Sequence, residues 1–134
     1  RLAMDSGDNQ TALDNLQKGL RYLEPCGEYP PAIKMGQFIL SQMCFVLVMG
    51  SKPEPAIKLA TELLSQAEVK DDDIRASLLH SRSQARMFTA KCKADLDLSI
   101  EDLNEEMKLS TDDKKPMLTK LMAQLEAAKS EFAN

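Results

Sequence analysis

Residues 7–23 read GDNQTALDNLQKGLRYL, and this stretch decides the fold class. Its apolar positions Ala12, Leu13, Leu16, Leu20 and Leu23 recur every three or four residues, the spacing of one face of an α-helix. Gly7 and Asp8 read as a turn with a capping residue before the helix, and Pro25, Cys26 and Gly27 read as its end. The same period returns along the whole chain. From about Pro31 to Met49 the sequence is apolar nearly all round, which predicts a helix buried on more than one side. Gly50 and Ser51 close it, and Pro53 and Pro55 fall in the first turn of the next helix, expected to about Gln66.

Asp71, Asp72 and Asp73 open a third long helix, where carboxylates meet the positive end of the helix dipole. Its apolar face reads Ile74, Leu78, Ala85, Phe88 and Cys92. A turn is expected at residues 95–98, then a helix marked by Ile100, Leu103, Met107 and Leu109. Residues 110–113 read as a second capping turn before a final amphipathic helix to about Phe132, with Pro116 in its first turn. The expected fold class is all-α, with six or seven helices and no strand.

Composition agrees. The chain has 134 residues, one domain's worth, and only four Phe, two Tyr and no Trp against eight Met. Small and flexible side chains must then fill a helix-on-helix core. A formal net charge of −4 argues against nucleic acid as a partner, because phosphate binding calls for a basic surplus. Three scattered cysteines make no disulfide framework and point to a reducing, cytoplasmic or nuclear setting. The longest apolar run, Phe45 to Met49, is far shorter than the ~20 residues of a membrane span, so no membrane insertion is expected. The chain begins at Arg1 without a signal-like apolar block and reads as a piece of a longer protein.

Chemistry-bearing constellations are sparse. His80 is the single histidine, too far along its helix from Cys92 for a Cys–His pair, and reads as a half-exposed helix residue. No glycine-rich phosphate loop, Cys-x-x-Cys pair or calcium loop occurs. The acids Asp95, Asp97, Glu101, Asp102, Glu105 and Glu106 read as a solvated turn and helix face. Asn9-Gln10-Thr11 matches a glycosylation acceptor in form, but Asn9 reads as part of the capping turn. The expectation is a non-enzymatic chain with no cofactor and no metal.

The turn-and-helix pattern also repeats at long range. Ala12, Ala56 and Ser99 each follow a tight turn and precede apolar positions about four and seven residues on. They are 44 and 43 residues apart, a period that holds two helices and marks a helical-hairpin solenoid. On Gly7-Asp8, Ala12, Leu16, Gly19 and Pro25, then Leu40, Met43, Cys44, Leu47, Ala56, Ala60 and Leu63, the chain resembles the tetratricopeptide-like superfamily, in an extended-repeat form. The resemblance implies a right-handed array over repeats at about 3–27, 30–68 and 72–110, with a capping helix at 113–133. An irregular six-helix bundle is the alternative. It further implies a scaffold or adaptor module whose first helices line a groove for a peptide or helix of another protein. The Lys and Asn pattern of the chaperone-binding class is absent.

Two surfaces are candidates for that partner. Phe38, Ser41, Phe45, Val48 and Met49 mark the surplus apolar face of helix 31–49, a seat for an amphipathic helix or extended segment. Arg75, Arg82 and Arg86 line one face of the third long helix, with Thr89 and Lys93 beyond them. Three guanidiniums in a row suit an acidic or phosphorylated peptide. Pairing with the acids of the following helix is the plainer reading of the same stripe. The alternative function is structural: a slice of a larger α-solenoid subunit of a protein complex, self-associating through helix 31–49.

Overall fold

Prolines and an aspartate set most of the helix starts. The computed structural model describes residues 6–132, and among them six α-helices follow one another with no strand. They are α1 (Ser6–Leu23), α2 (Pro30–Met49), α3 (Pro53–Leu64), α4 (Asp72–Thr89), α5 (Lys93–Leu109) and α6 (Lys115–Ser130), with a short 3-10 turn at Glu24–Cys26 after α1. Pro30, Pro53 and Pro116 sit in the first turns of α2, α3 and α6, where the missing N–H costs nothing. Asp71 caps α4, its carboxylate accepting from the Ile74 N–H at 3.0 Å. Residues 3–5 of the first expected unit and residue 133 of the expected last helix lie outside the described residues.

Three boundaries differ from the sequence reading. Gly7 and Asp8 lie inside α1, which begins at Ser6, so they are not a capping turn. Asn9 lies a turn into α1 as well, buried over Gly50, whose missing side chain makes the room: a Cβ there would stand 3.2 Å from Asn9 Nδ2. Residues 95–98 lie within the first two turns of α5 and are not a connection. The break comes earlier, at residues 90–92, so Phe88 ends up exposed and Cys92 becomes the residue preceding α5. A three-residue link satisfies the same apolar spacing on either side of it, which is why periodicity alone misplaced the turn.

Each helix packs chiefly on its neighbours in sequence: α1 on α2, α2 on α3, α3 on α4, α4 on α5 and α5 on α6. α2 also packs directly on α4. The first core lies between α2, α3 and α4, where Cys44, Ala60, Leu63, Val69, Ile74 and Leu78 meet. The second, of Leu96, Leu103, Leu118 and Leu125, joins α5 to α6. Between them Val48, Ala56 and Ala85 close the crossing of α2, α3 and α4.

Small side chains bring the axes together. Ala56, Ala60, Ala85 and Ser99 are fully buried, so two of the three repeat anchors sit at helix crossings; the third, Ala12, is half-buried. Where α4 crosses α5, Ser83 donates to the Ser99 carbonyl at 2.9 Å and Ser99 donates to the Ser83 carbonyl at 2.7 Å. This exchange satisfies two buried hydroxyls within the most extensive helix–helix contact.

A candidate partner-binding surface

α2 is apolar nearly all round, so it buries one side and still shows another. Ala32, Ser41, Cys44 and Val48 face the neighbouring helices. On the adjoining face, about 100° round the helix from Ser41, Cys44 and Val48, Met35, Phe38, Phe45 and Met49 remain 50, 48, 41 and 39 % exposed. With Gln42 between them they recur at three, four, three and four residues, a single stripe along the helix. Of the five residues expected on this face, Phe38, Phe45 and Met49 are there. Ser41 and Val48 are not: both are buried, and the Ser41 hydroxyl donates to the Phe38 carbonyl at 2.6 Å. One step back from Gln42 or Met49 rotates a residue by 100°, enough to carry Ser41 and Val48 into the core.

A groove of about 440 Å³ lies between this stripe and the start of α4. Met35 and Phe38 form one wall, Ile74 and Ser77 the other, and Ser41 lies at the floor. Lys34 reaches across the mouth to Asp71 at 2.9 Å. That contact, then the Ile74 N–H, holds the Asp71 carboxyl below its ordinary value, and it raises Lys34 in turn. Asp73 also lines the groove.

The arginine stripe faces the other way. Arg82 lies nine residues beyond Asp73, half a turn round α4 from the groove. Its guanidinium grips Asp102 of α5 with both ends, Nε to Oδ2 at 3.0 Å and Nη2 to Oδ1 at 2.7 Å, and Nη1 donates to Thr61 of α3 at 3.2 Å. Arg86 donates to the same carboxylate at 3.0 Å. Arg75 donates to the Leu64 and Val69 carbonyls at 3.3 and 3.0 Å, tying down the link from α3 to α4. Thr89 turns its hydroxyl back to the Ala85 and Arg86 carbonyls. Lys93 begins α5 and does not extend the face. These groups staple α4 to α3 and α5, and the Arg82 fork is already filled by Asp102.

The acidic face of α5 is likewise not simply solvated. Asp102 and Glu106 are buried, at 2 and 6 % exposure, the first beneath the arginines and the second 2.9 Å from His80 Nδ1. Sequence reading missed Met35, Gln42 and Asp73 as surface-forming residues. Their signal was present in the three–four spacing of Met35 and Gln42 with Phe38, Phe45 and Met49, hidden because every neighbour on α2 is also apolar.

By length and composition α2, 20 residues long with an 18-residue window of mean hydropathy 1.6, is long and apolar enough to cross a membrane, a test that the core helix of a soluble protein also passes. Among the described residues no cluster of three or more His, Cys, Asp or Glu is placed to hold a metal ion. No protein-family model matches the chain, and neither a curated protein nor a solved structure matches it.

Proposed function

We propose that the chain is a non-enzymatic protein–protein interaction module, a short tetratricopeptide-like array that seats a peptide or helix of a partner protein on the exposed face of α2. The carrying observation is the row Met35, Phe38, Phe45 and Met49, four large apolar side chains each about two-fifths to one-half exposed beside a groove. Aromatic and methionine side chains held half in water at one stripe gain free energy when a second apolar surface covers them. The array reading draws support from the order of neighbours: α2 packs on α4 as well as on α1 and α3, as first helices of successive hairpins do. On that reading α2 and α4 are first helices, α3 and α5 second helices, and α6 the cap.

The test compares the wild-type chain with Phe38→Asp and Phe45→Asp as baits against a cell extract, with helical content checked by circular dichroism. A protein retained by the wild type and lost from both variants at unchanged helicity is expected. Identical retention by all three baits overturns the assignment of the α2 face.

A second reading, a slice of a larger α-solenoid subunit, is favoured by α1. Its stripe of Leu13, Leu16, Leu20 and Leu23 is only half-buried, whereas Ala56, Ala60 and Leu63 of α3 are buried. In an array a second helix is covered on both sides, and among the described residues α1 packs chiefly on α2.

A further inference from the structure

We infer that the occupant of the α2 face is an amphipathic α-helix whose end over Asp73 carries Lys or Arg. This rests on the reading of the α2 face proposed above and adds the shape and the charge of the partner. The shape follows from spacing. Met35, Phe38, Gln42, Phe45 and Met49 keep a three–four alternation for 14 residues, about 21 Å of helix. A seam with that period packs against another helix at a shallow crossing, knob into hole, over its whole length. An extended strand, which presents a side chain to one face every ~7 Å, matches that seam poorly. Gln42 is the one polar residue in the row, so a docked helix is held in register by bringing a hydrogen-bonding group opposite it.

The charge follows from which groups are already spent. Arg82 and Arg86 are committed to Asp102, half a turn from the groove, and Lys34 at the mouth is committed to Asp71. Asp73 lines the same groove, forms no direct ion pair among the described residues, and touches Lys34 only through its field, adding to the pull of Asp71. The groove thus holds one lysine against two aspartates, a surplus of one negative charge. The apolar row makes the site, and Asp73 sets the sign of what suits its end. The acidic ligand expected from the arginine stripe is therefore replaced by a basic-ended one.

The test uses the full chain as bait for a displayed library of single helices. Apolar residues are fixed at the contact positions and the residues flanking the stripe are randomised. Wild-type bait is expected to enrich Lys and Arg at one end, and Asp73→Lys bait to enrich Asp and Glu there. A synthetic peptide from an enriched clone should bind Asp73→Asn about three- to five-fold more weakly, the worth of a rim ion pair. Phe38→Asp should abolish enrichment. Neutral or acidic ends, or ends indifferent to Asp73→Lys, overturn the inference while loss on Phe38→Asp leaves the docking face standing. Enrichment indifferent to Phe38→Asp overturns both. If no helix is enriched and the chain sediments as a dimer that Phe38→Asp splits, the occupant is a second copy and the inference fails. If no helix is enriched and the chain sediments as a monomer, both readings fail.

Discussion

Arg82 and Asp102 form a two-pronged ion pair, at 2.7 and 3.0 Å, that fastens α4 to α5 below the surface. Arg86 shares the same carboxylate at 3.0 Å, so one buried acid neutralises two cations in part. Removing the acid leaves both guanidiniums partly buried without their partner, a costlier change than losing the pair as a whole. Asp102→Ala is expected to cost about 3 kcal/mol in urea unfolding. The double variant Asp102→Leu with Arg82→Met should recover part of that loss. A double variant that loses the sum of the two single-variant costs would show that the pair is not coupled.

The docking face makes the opposite prediction. Phe38 and Phe45 are each more than two-fifths exposed, so Phe38→Asp and Phe45→Asp should change stability by no more than about 1 kcal/mol. Binding of an enriched helical peptide should nonetheless fall at least about tenfold, as for an interface anchor. Fluorescence anisotropy against a chemical denaturation curve separates the two effects.

Cys44 is sealed among α2, α3 and α4, and burial alone pushes its thiol up to about 12 from 9.0. Between those values the unfolded thiol ionises while the folded one does not. The folded state then binds more protons, and stability must fall as pH rises. The expected slope above pH 9.0 is up to about 1.4 kcal/mol per pH unit, absent in Cys44→Ala. At neutral pH exposed Cys26 should alkylate first, and Cys44 only as fast as the chain opens. Mass spectrometry of a timed iodoacetamide reaction reads both.

Gly36 lies inside α2, and a Cβ there would meet Leu20 and Leu23 at 3.9 Å, ordinary contact distance. Gly36→Ala should therefore stabilise the chain by roughly 0.5–1 kcal/mol through helix propensity alone. A lower thermal midpoint would mean that α1 has no room to accept the methyl group.

The helices were legible because their signals are local. Three or four apolar residues per two turns, Pro30, Pro53 and Pro116 at first turns and Asp71 at a cap each act within a few residues. The site was legible only in part. Nothing near Arg82 in sequence announces Asp102, twenty residues on, and a row of arginines reads alike whether it faces water or a buried carboxylate. On α2 the difficulty was reversed: with apolar residues on all sides, the chain does not mark which side its neighbours leave open. That is decided by where α1 and α4 come to rest, so Ser41 and Val48 exchanged places with Met35 and Gln42.

The sequential order of helix neighbours has a kinetic side. Apart from the meeting of α2 with α4, every helix finds its principal partner in a helix adjacent to it along the chain. Little loop must be closed before a contact forms, so condensation can advance hairpin by hairpin as the polypeptide is synthesised, at the fast end of folding rates for its size. Opening follows the same line. α1, resting chiefly on α2, should be the first segment to exchange its amide protons, while α4, gripped by α2, α3 and α5, exchanges last.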